Sequence, residues 1–96
     1  MNYIVLDLEW NQPTSRNKLI TDPVKLYGEI IQIGAVKFDS GFNKLCDIRI
    51  TVSPKYYTEM NHYVRALTGI RTRDLKAGTP FPEALSRFKE WCGVVC

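Results

Sequence analysis

Tyr3-Ile4-Val5-Leu6-Asp7-Leu8-Glu9-Trp10 is the stretch on which the reading of this chain turns. From Tyr3 to Leu6 it is apolar on both alternations, which reads as a central strand buried on both faces. Side chains alternate along a strand, so Asp7 and Glu9 point to one face, about 6–7 Å apart. Two carboxylates at the end of an apolar strand repel each other and lose hydration. Sharing a hard divalent cation relieves both costs, and Mg²⁺ or Mn²⁺ favours oxygen donors while keeping room for water and phosphate. On spacing alone, an acid–x–acid triplet is more often solvated charge at a strand end. The residues around it give it weight.

Outward from that strand, Asn11 to Gly28 is polar, with Pro13, Pro23 and several basic residues, and reads as a long loop. Glu29 to Phe38 is a second strand, carrying Ile30, Ile31, Ile33, Ala35, Val36 and Phe38. Asp39-Ser40-Gly41 supplies turn chemistry. Leu45 to Val52 is a third strand, with Cys46, Ile48, Ile50 and Val52 on one face and Asp47, Arg49 and Thr51 on the other. Strands two and three therefore make an antiparallel hairpin, closed by Pro54. Met60, Tyr63, Val64 and Leu67 follow helical spacing, and Gly69 ends that helix. Thr79 reads as the cap of a second helix with Pro80 at its first position. Phe81, Ala84, Leu85, Phe88, Trp91 and Cys92 then repeat at helical intervals. Val94, Val95 and Cys96 read as the first residues of a further strand. Such alternation of strands and helices implies an α/β fold.

The bulk properties bound the answer. Ninety-six residues make one small domain, residues 1–96, and a net charge of +3 from 13 basic and 10 acidic residues permits a polyanionic partner without requiring one. No apolar run approaches the roughly 20 residues a membrane span needs, and the N-terminus lacks the basic and apolar regions of a secretion signal, so no membrane partner and a cytoplasmic location are expected. Cys46, Cys92 and Cys96 have no metal-ligand spacing and are expected to be free thiols in a reducing compartment.

Four segments together resemble a known family. Val5-Leu6-Asp7-Leu8-Glu9-Trp10 resembles the first motif of the histidine-type DEDD (DnaQ-like) 3′–5′ exonucleases, members of the ribonuclease H-like superfamily. Gly28-Glu29-Ile30-Ile31-Gln32-Ile33-Gly34-Ala35-Val36 resembles their second strand, Leu67-Thr68-Gly69-Ile70 the turn after their first helix, and Phe81 to Trp91 the amphipathic helix preceding their second acidic motif. The resemblance implies a mixed sheet flanked by helices, here truncated after three strands and two helices. It also implies removal of nucleotides from the 3′ end of single-stranded RNA or DNA, with two divalent cations, Mg²⁺ or Mn²⁺, as cofactors. Asp7 and Glu9 would be the catalytic metal ligands, Asp7 bridging both ions and Glu9 holding the one that activates water. Trp10, Leu67, Thr68 and Gly69 would line the nucleotide pocket, Trp10 by stacking, Leu67 as a wedge at the terminal base, Thr68 by a hydrogen bond to the sugar. Glu29 would sit near the metals or serve only as a charge at the strand start.

The family also needs two more aspartates and a histidine, for which the chain has no room after Trp91. His62, the only histidine, has Leu67 rather than an acid five residues on, and reads as a surface residue; Asp22, Asp39, Asp47 and Asp74 fall in loops, a turn or a polar strand face. The expectation is a partial exonuclease domain whose first strand lacks neighbours on one side. Such an open apolar edge invites self-association or a partner chain. The alternative is a catalytically inactive nucleic-acid-binding or regulatory protein completed by a partner chain. Arg16, Lys18, Lys25, Arg65, Arg71 and Arg73 are the candidate phosphate contacts, with scattered solubilising charge as the plainer reading.

Overall fold

The hairpin forms where the alternation places it. In the computed structural model, which describes all residues from Met1 to Cys96, β2 (Glu29–Phe38) pairs antiparallel with β3 (Lys44–Ser53), setting Ile33 opposite Ile50 and Ala35 opposite Ile48. Its tip is organised by Asp39, whose Oδ1 accepts from the backbone N–H of Gly41 and of Asn43, both at 2.9 Å. This is the Asx-type turn chemistry expected of aspartate there.

β1 (Tyr3–Asn11) pairs antiparallel with the other side of β2, and the sheet order is β1-β2-β3-β4. β1 is thus an edge strand, and Tyr3, Ile4, Val5 and Leu6 are exposed. The expectation of a strand buried on both faces does not hold, whereas the open edge does. The physical reason is that the helix on this face packs over β2 and β3 and stops short of β1.

The two faces of the sheet differ. On one, Ile33, Ile50 and Val52 meet Ala84 in a core cluster, with Leu8, Ile30, Ile48 and Phe88 packed against it. Fully burying an isoleucine or valine contributes about 1.5–3 kcal/mol, so a few such residues decide the stability of a domain this small. The other face carries Asp7, Gly34 and Arg49 in one cross-strand row, and Glu9, Gln32 and Thr51 in the next.

α1 (His62–Thr68) begins at Asn61, whose side chain accepts from the N–H of Tyr63 and Val64, and stops at Gly69 with φ 75° in the left-handed region. α2 (Thr72–Lys76) follows at once. Sequence periodicity does not find this helix because it is one turn long. Its start is marked by Asp74, whose carboxylate accepts from the N–H of Arg71 at 2.8 Å. Both helices close a second cluster of Ile31, Met60, Val64, Ile70 and Leu75.

The chain then makes β4 (Thr79–Pro80), a short parallel pairing with Val52 and Ser53 that makes the sheet mixed. Gly78 precedes it, and a Cβ there would lie 2.8 Å from the Ser53 nitrogen, so only glycine admits this approach. α3 (Phe81–Gly93) is the long amphipathic helix. Its start lies one residue later than expected: Pro80 is the cap residue and Pro82 occupies the first turn. Thr79 caps nothing, because its backbone belongs to β4. Val94 is extended but pairs with no strand, so the further strand read at Val94–Cys96 does not form.

Cys46 and Cys96 are joined in a disulfide with their Cα atoms 5.7 Å apart, and Cys92 is free. The expectation of three free thiols fails for two of them. α3 carries the chain back over the start of β3, a meeting of residues 50 apart that spacing does not reveal. No helix is long and apolar enough to cross a membrane.

Candidate active site

Strand alternation brings Asp7 and Glu9 to one face of β1, as expected, and that face is the one without a helix. Asp7 is exposed and Glu9 half-buried. Neither carboxylate has a hydrogen bond or ion pair within the chain; the one salt bridge joins Lys44 to Asp47 at 2.5 Å. The row neighbour of Asp7 on β2 is Gly34, which has no side chain, so an open hollow of about 570 Å³ lies between Asp7, Val36, Asp47 and Arg49. Asp7 borders this hollow and Glu9 does not; an unengaged carboxylate beside open space suits a hard divalent cation, which takes oxygen ligands and retains waters. The donor set is small: no three His, Cys, Asp or Glu side chains cluster so as to hold a metal ion.

Four of the other acids, Glu29, Asp39, Asp47 and Asp74, are engaged elsewhere. Asp39 closes the hairpin, and the backbone N–H of Asn43, then its side chain, hold the Asp39 carboxyl below its ordinary range. Asp47 is also held low, first by its hydrogen bond from Lys44 and then by that ammonium's charge. Asp74 caps α2. The Glu29 carboxylate accepts from the N–H of Lys55 (2.7 Å), Tyr56 (3.0 Å) and Tyr57 (2.8 Å). It thereby clamps the loop after β3. His62 is exposed at the first turn of α1, its ring 4.1 Å from that of Tyr63.

The residues expected at a nucleotide lie in two separate places: the cavity that Trp10 lines does not include Leu67, Thr68 or Gly69. Trp10 follows the acids, is 49% exposed, and packs its ring edge over Gly28. It forms one wall of an open apolar cavity of about 610 Å³ shared with Ile30, Val52, Tyr56, Pro80 and Phe81. Leu67 is 87% exposed at the end of α1, a large apolar side chain free to meet a ligand. The Thr68 hydroxyl is already in use, donating to the Val64 carbonyl at 2.9 Å and accepting from the N–H of Ile70 at 3.1 Å. That leaves it one lone pair unused. Gly69 serves the backbone reversal after α1. The six basic side chains singled out from the sequence are exposed, and none is in an ion pair.

Asn11 is what sequence reading missed. It is fully buried at the end of β1, donating from Nδ2 to the carbonyls of Tyr57 and Glu59, both at 2.9 Å, and accepting at Oδ1 from the N–H of Asn61 at 3.0 Å. An asparagine at the mouth of a polar loop carries no signal of this. The only available hint is that it continues the strand by one residue beyond Trp10.

A mixed sheet with an Asp-x-Glu strand and helices on one face is the beginning of a ribonuclease H-like fold. The profile of the exonuclease family typified by RNase T matches residues 4–96, and the chain belongs to that family. Solved structures share its fold. Cell-death related nuclease 4 (CRN-4) superposes with a TM-score of 0.76 at 19% identity, over 97% of this chain and 31% of its own. A 3′-exonuclease in a structure of 3′-end-specific recognition of a histone mRNA stem-loop gives 0.76 at 19% identity, over 94% of this chain and 38% of its own. The nuclease domain of 3′hExo, a DEDDh family member bound to rAMP, gives 0.69 at 18% identity, over 92% of this chain and 42% of its own. The chain thus spans less than half the length of each. No curated protein sequence matches it.

Proposed function

We propose that this chain is the N-terminal portion of a 3′–5′ exonuclease domain that hydrolyses phosphodiester bonds at the 3′ end of single-stranded RNA or DNA, with Asp7 and Glu9 as its metal ligands. The observation that carries this reading is the pair of unengaged carboxylates on the open face of β1. Family membership supports the nuclease class, and the rAMP and mRNA stem-loop of the similar structures support a nucleic-acid 3′ end as substrate. Divalent ions, when bound, would supply an activated water and stabilise the leaving oxygen. The work left to the side chains is positioning. Asp7 and Glu9 fix the ions, Leu67 and Trp10 hold the terminal nucleotide, and Arg16, Lys18, Arg65, Arg71 and Arg73 attract the phosphate backbone.

A second reading has its own observation. No three His, Cys, Asp or Glu side chains are grouped so as to hold an ion, which supports a site completed by ligands other than these two acids. We propose that the free edge of β1 takes a further strand, from the rest of such a domain or from a second chain, and that the residues here without it bind nucleic acid and do not cut it.

The test is Mn²⁺-dependent shortening of a 5′-labelled single strand, assayed with the 96-residue chain and with Asp7→Ala. Stepwise loss from the 3′ end that disappears in Asp7→Ala supports an active enzyme. Salt-sensitive binding without shortening supports the second reading. A melting temperature indifferent to Mn²⁺ in both proteins removes the metal assignment.

A further inference from the structure

We infer that Asn11 is a positioning residue, holding the strand end that carries Glu9 and Trp10 at a fixed distance from the turn that carries Leu67, Thr68 and Gly69. The inference rests on the exonuclease reading of those two groups. The acids lie on an edge strand and the turn lies at the far end of α1, and Asn11 bonds the strand end to the segment that starts that helix.

The hydrogen bonds form one chain. Asn11 Nδ2 grips the carbonyls of Tyr57 and Glu59, and its Oδ1 receives the N–H of Asn61. Asn61 in turn accepts from the N–H of Tyr63 at 2.9 Å and of Val64 at 3.2 Å, and donates from Nδ2 to the Pro13 carbonyl at 2.9 Å. The first pair of bonds starts α1 in register; the last ties down the loop just after β1. At the other end of the helix, the Thr68 hydroxyl bonds to the Val64 carbonyl and the Ile70 N–H.

Each atom of the Asn11 amide that contacts protein meets backbone, and the partners lie 46–50 residues away. A core residue that only filled space would be apolar, since a buried amide lowers stability wherever a partner is missing. An amide with two donors and an acceptor fixes both separation and rotation between β1 and α1. Sites that depend on placement need such support, because looseness of about 1 Å degrades them.

The experiment uses the 96-residue chain and two probes, Mn²⁺ and adenosine 5′-monophosphate, read by nuclear magnetic resonance. Mn²⁺ at Asp7 and Glu9 enhances relaxation of the Thr68 and Gly69 amides with the inverse sixth power of distance. In Asn11→Ala, Mn²⁺ affinity stays unchanged, while enhancement at those amides falls by roughly half or more and nucleotide affinity weakens about tenfold. Ile31→Val, which loosens the same packing without touching the hydrogen-bond chain, leaves the enhancement as in the wild type. If Asn11→Ala does not fold, Asn11→Ser is read against the same criteria. A folded Asn11 variant that binds Mn²⁺ with unaltered enhancement and unaltered nucleotide affinity overturns the inference and leaves the exonuclease reading standing. Failure of the wild type to take up Mn²⁺, or uptake that survives Asp7→Asn, removes the exonuclease reading and the inference with it.

Discussion

The ammonium of Lys37 lies over the indole of Trp91, 4.4 Å from the ring centroid, and donates to the carbonyls of Trp91 and Val94. Lys37 is on β2 with its side chain turned to the core face, and only 3% of it is exposed. A cation here meets carbonyls at the negative dipole end of α3 while its stem packs against the aromatic face. Lys37→Met keeps the packing and loses the charge, and is expected to lower stability by about 1–3 kcal/mol. A shift in the urea midpoint at unchanged slope checks this.

Glu29 offers a second stability test. Three backbone N–H groups of residues 55–57 converge on its carboxylate. These are charge-assisted bonds to an anion, stronger than neutral ones. Glu29→Gln keeps one acceptor oxygen and turns a donor toward the same N–H groups, and should cost about 1–3 kcal/mol. Hydrogen exchange at Tyr56 and Tyr57 should quicken more than exchange in β2. Equal protection in the variant would contradict the clamp.

Much of the fold was legible because its signals are local. The hairpin is written in alternation, with Asp39 at the turn; α1 is written in Gly69, and α3 in the spacing from Phe81 to Cys92. What escaped is set by distant contacts. Tyr3 to Leu6 read as buried since apolarity does not say whether a neighbour is present to cover it. Lys37 sits in a strand where a lysine is expected to face water, and only the end of α3 explains its inward turn. Asn11 and the Cys46–Cys96 bond join residues about 50 positions apart. For the site, the acids were legible as a pair because strand geometry alone puts them on one face. The support beneath them was not, since it depends on where α1 docks.

The hairpin tip should respond to acid. The folded Asp39 carboxyl is held below its ordinary value of 3.8, chiefly by the Asn43 N–H. A depressed folded value means that the contribution to stability is complete above the unfolded value and is lost as pH falls through the folded one. The tip is therefore unaffected between about pH 5 and pH 7, above the carboxylate range. Below pH 3.8 the Gly41 and Asn43 amides should exchange faster, after correction for intrinsic rates. In Asp39→Ala they should already be fast at neutral pH. Amides of Asn43 that stay protected in that variant would show the turn to be held by something else.

Leu67 and Gly69 stand two residues apart and should separate binding from stability. Leu67 is 87% exposed, so Leu67→Ala removes little buried surface and should change stability by no more than about 0.5 kcal/mol. If it meets the terminal base, the same change should weaken binding of a single-stranded oligonucleotide by about 1–3 kcal/mol, the range for one base contact. Gly69 has the opposite profile. Its φ of 75° is left-handed, where a side chain costs about 1–2 kcal/mol even though the space a Cβ would enter is open, with no atom within 4 Å. Gly69→Ala should thus lower the urea midpoint, and Gly69→Asn should lower it less, because asparagine tolerates this conformation. Fluorescence anisotropy at fixed salt, read beside urea denaturation, measures both properties on each variant. Leu67→Ala that binds as well as the wild type would remove Leu67 from the pocket, whatever the outcome at Gly69.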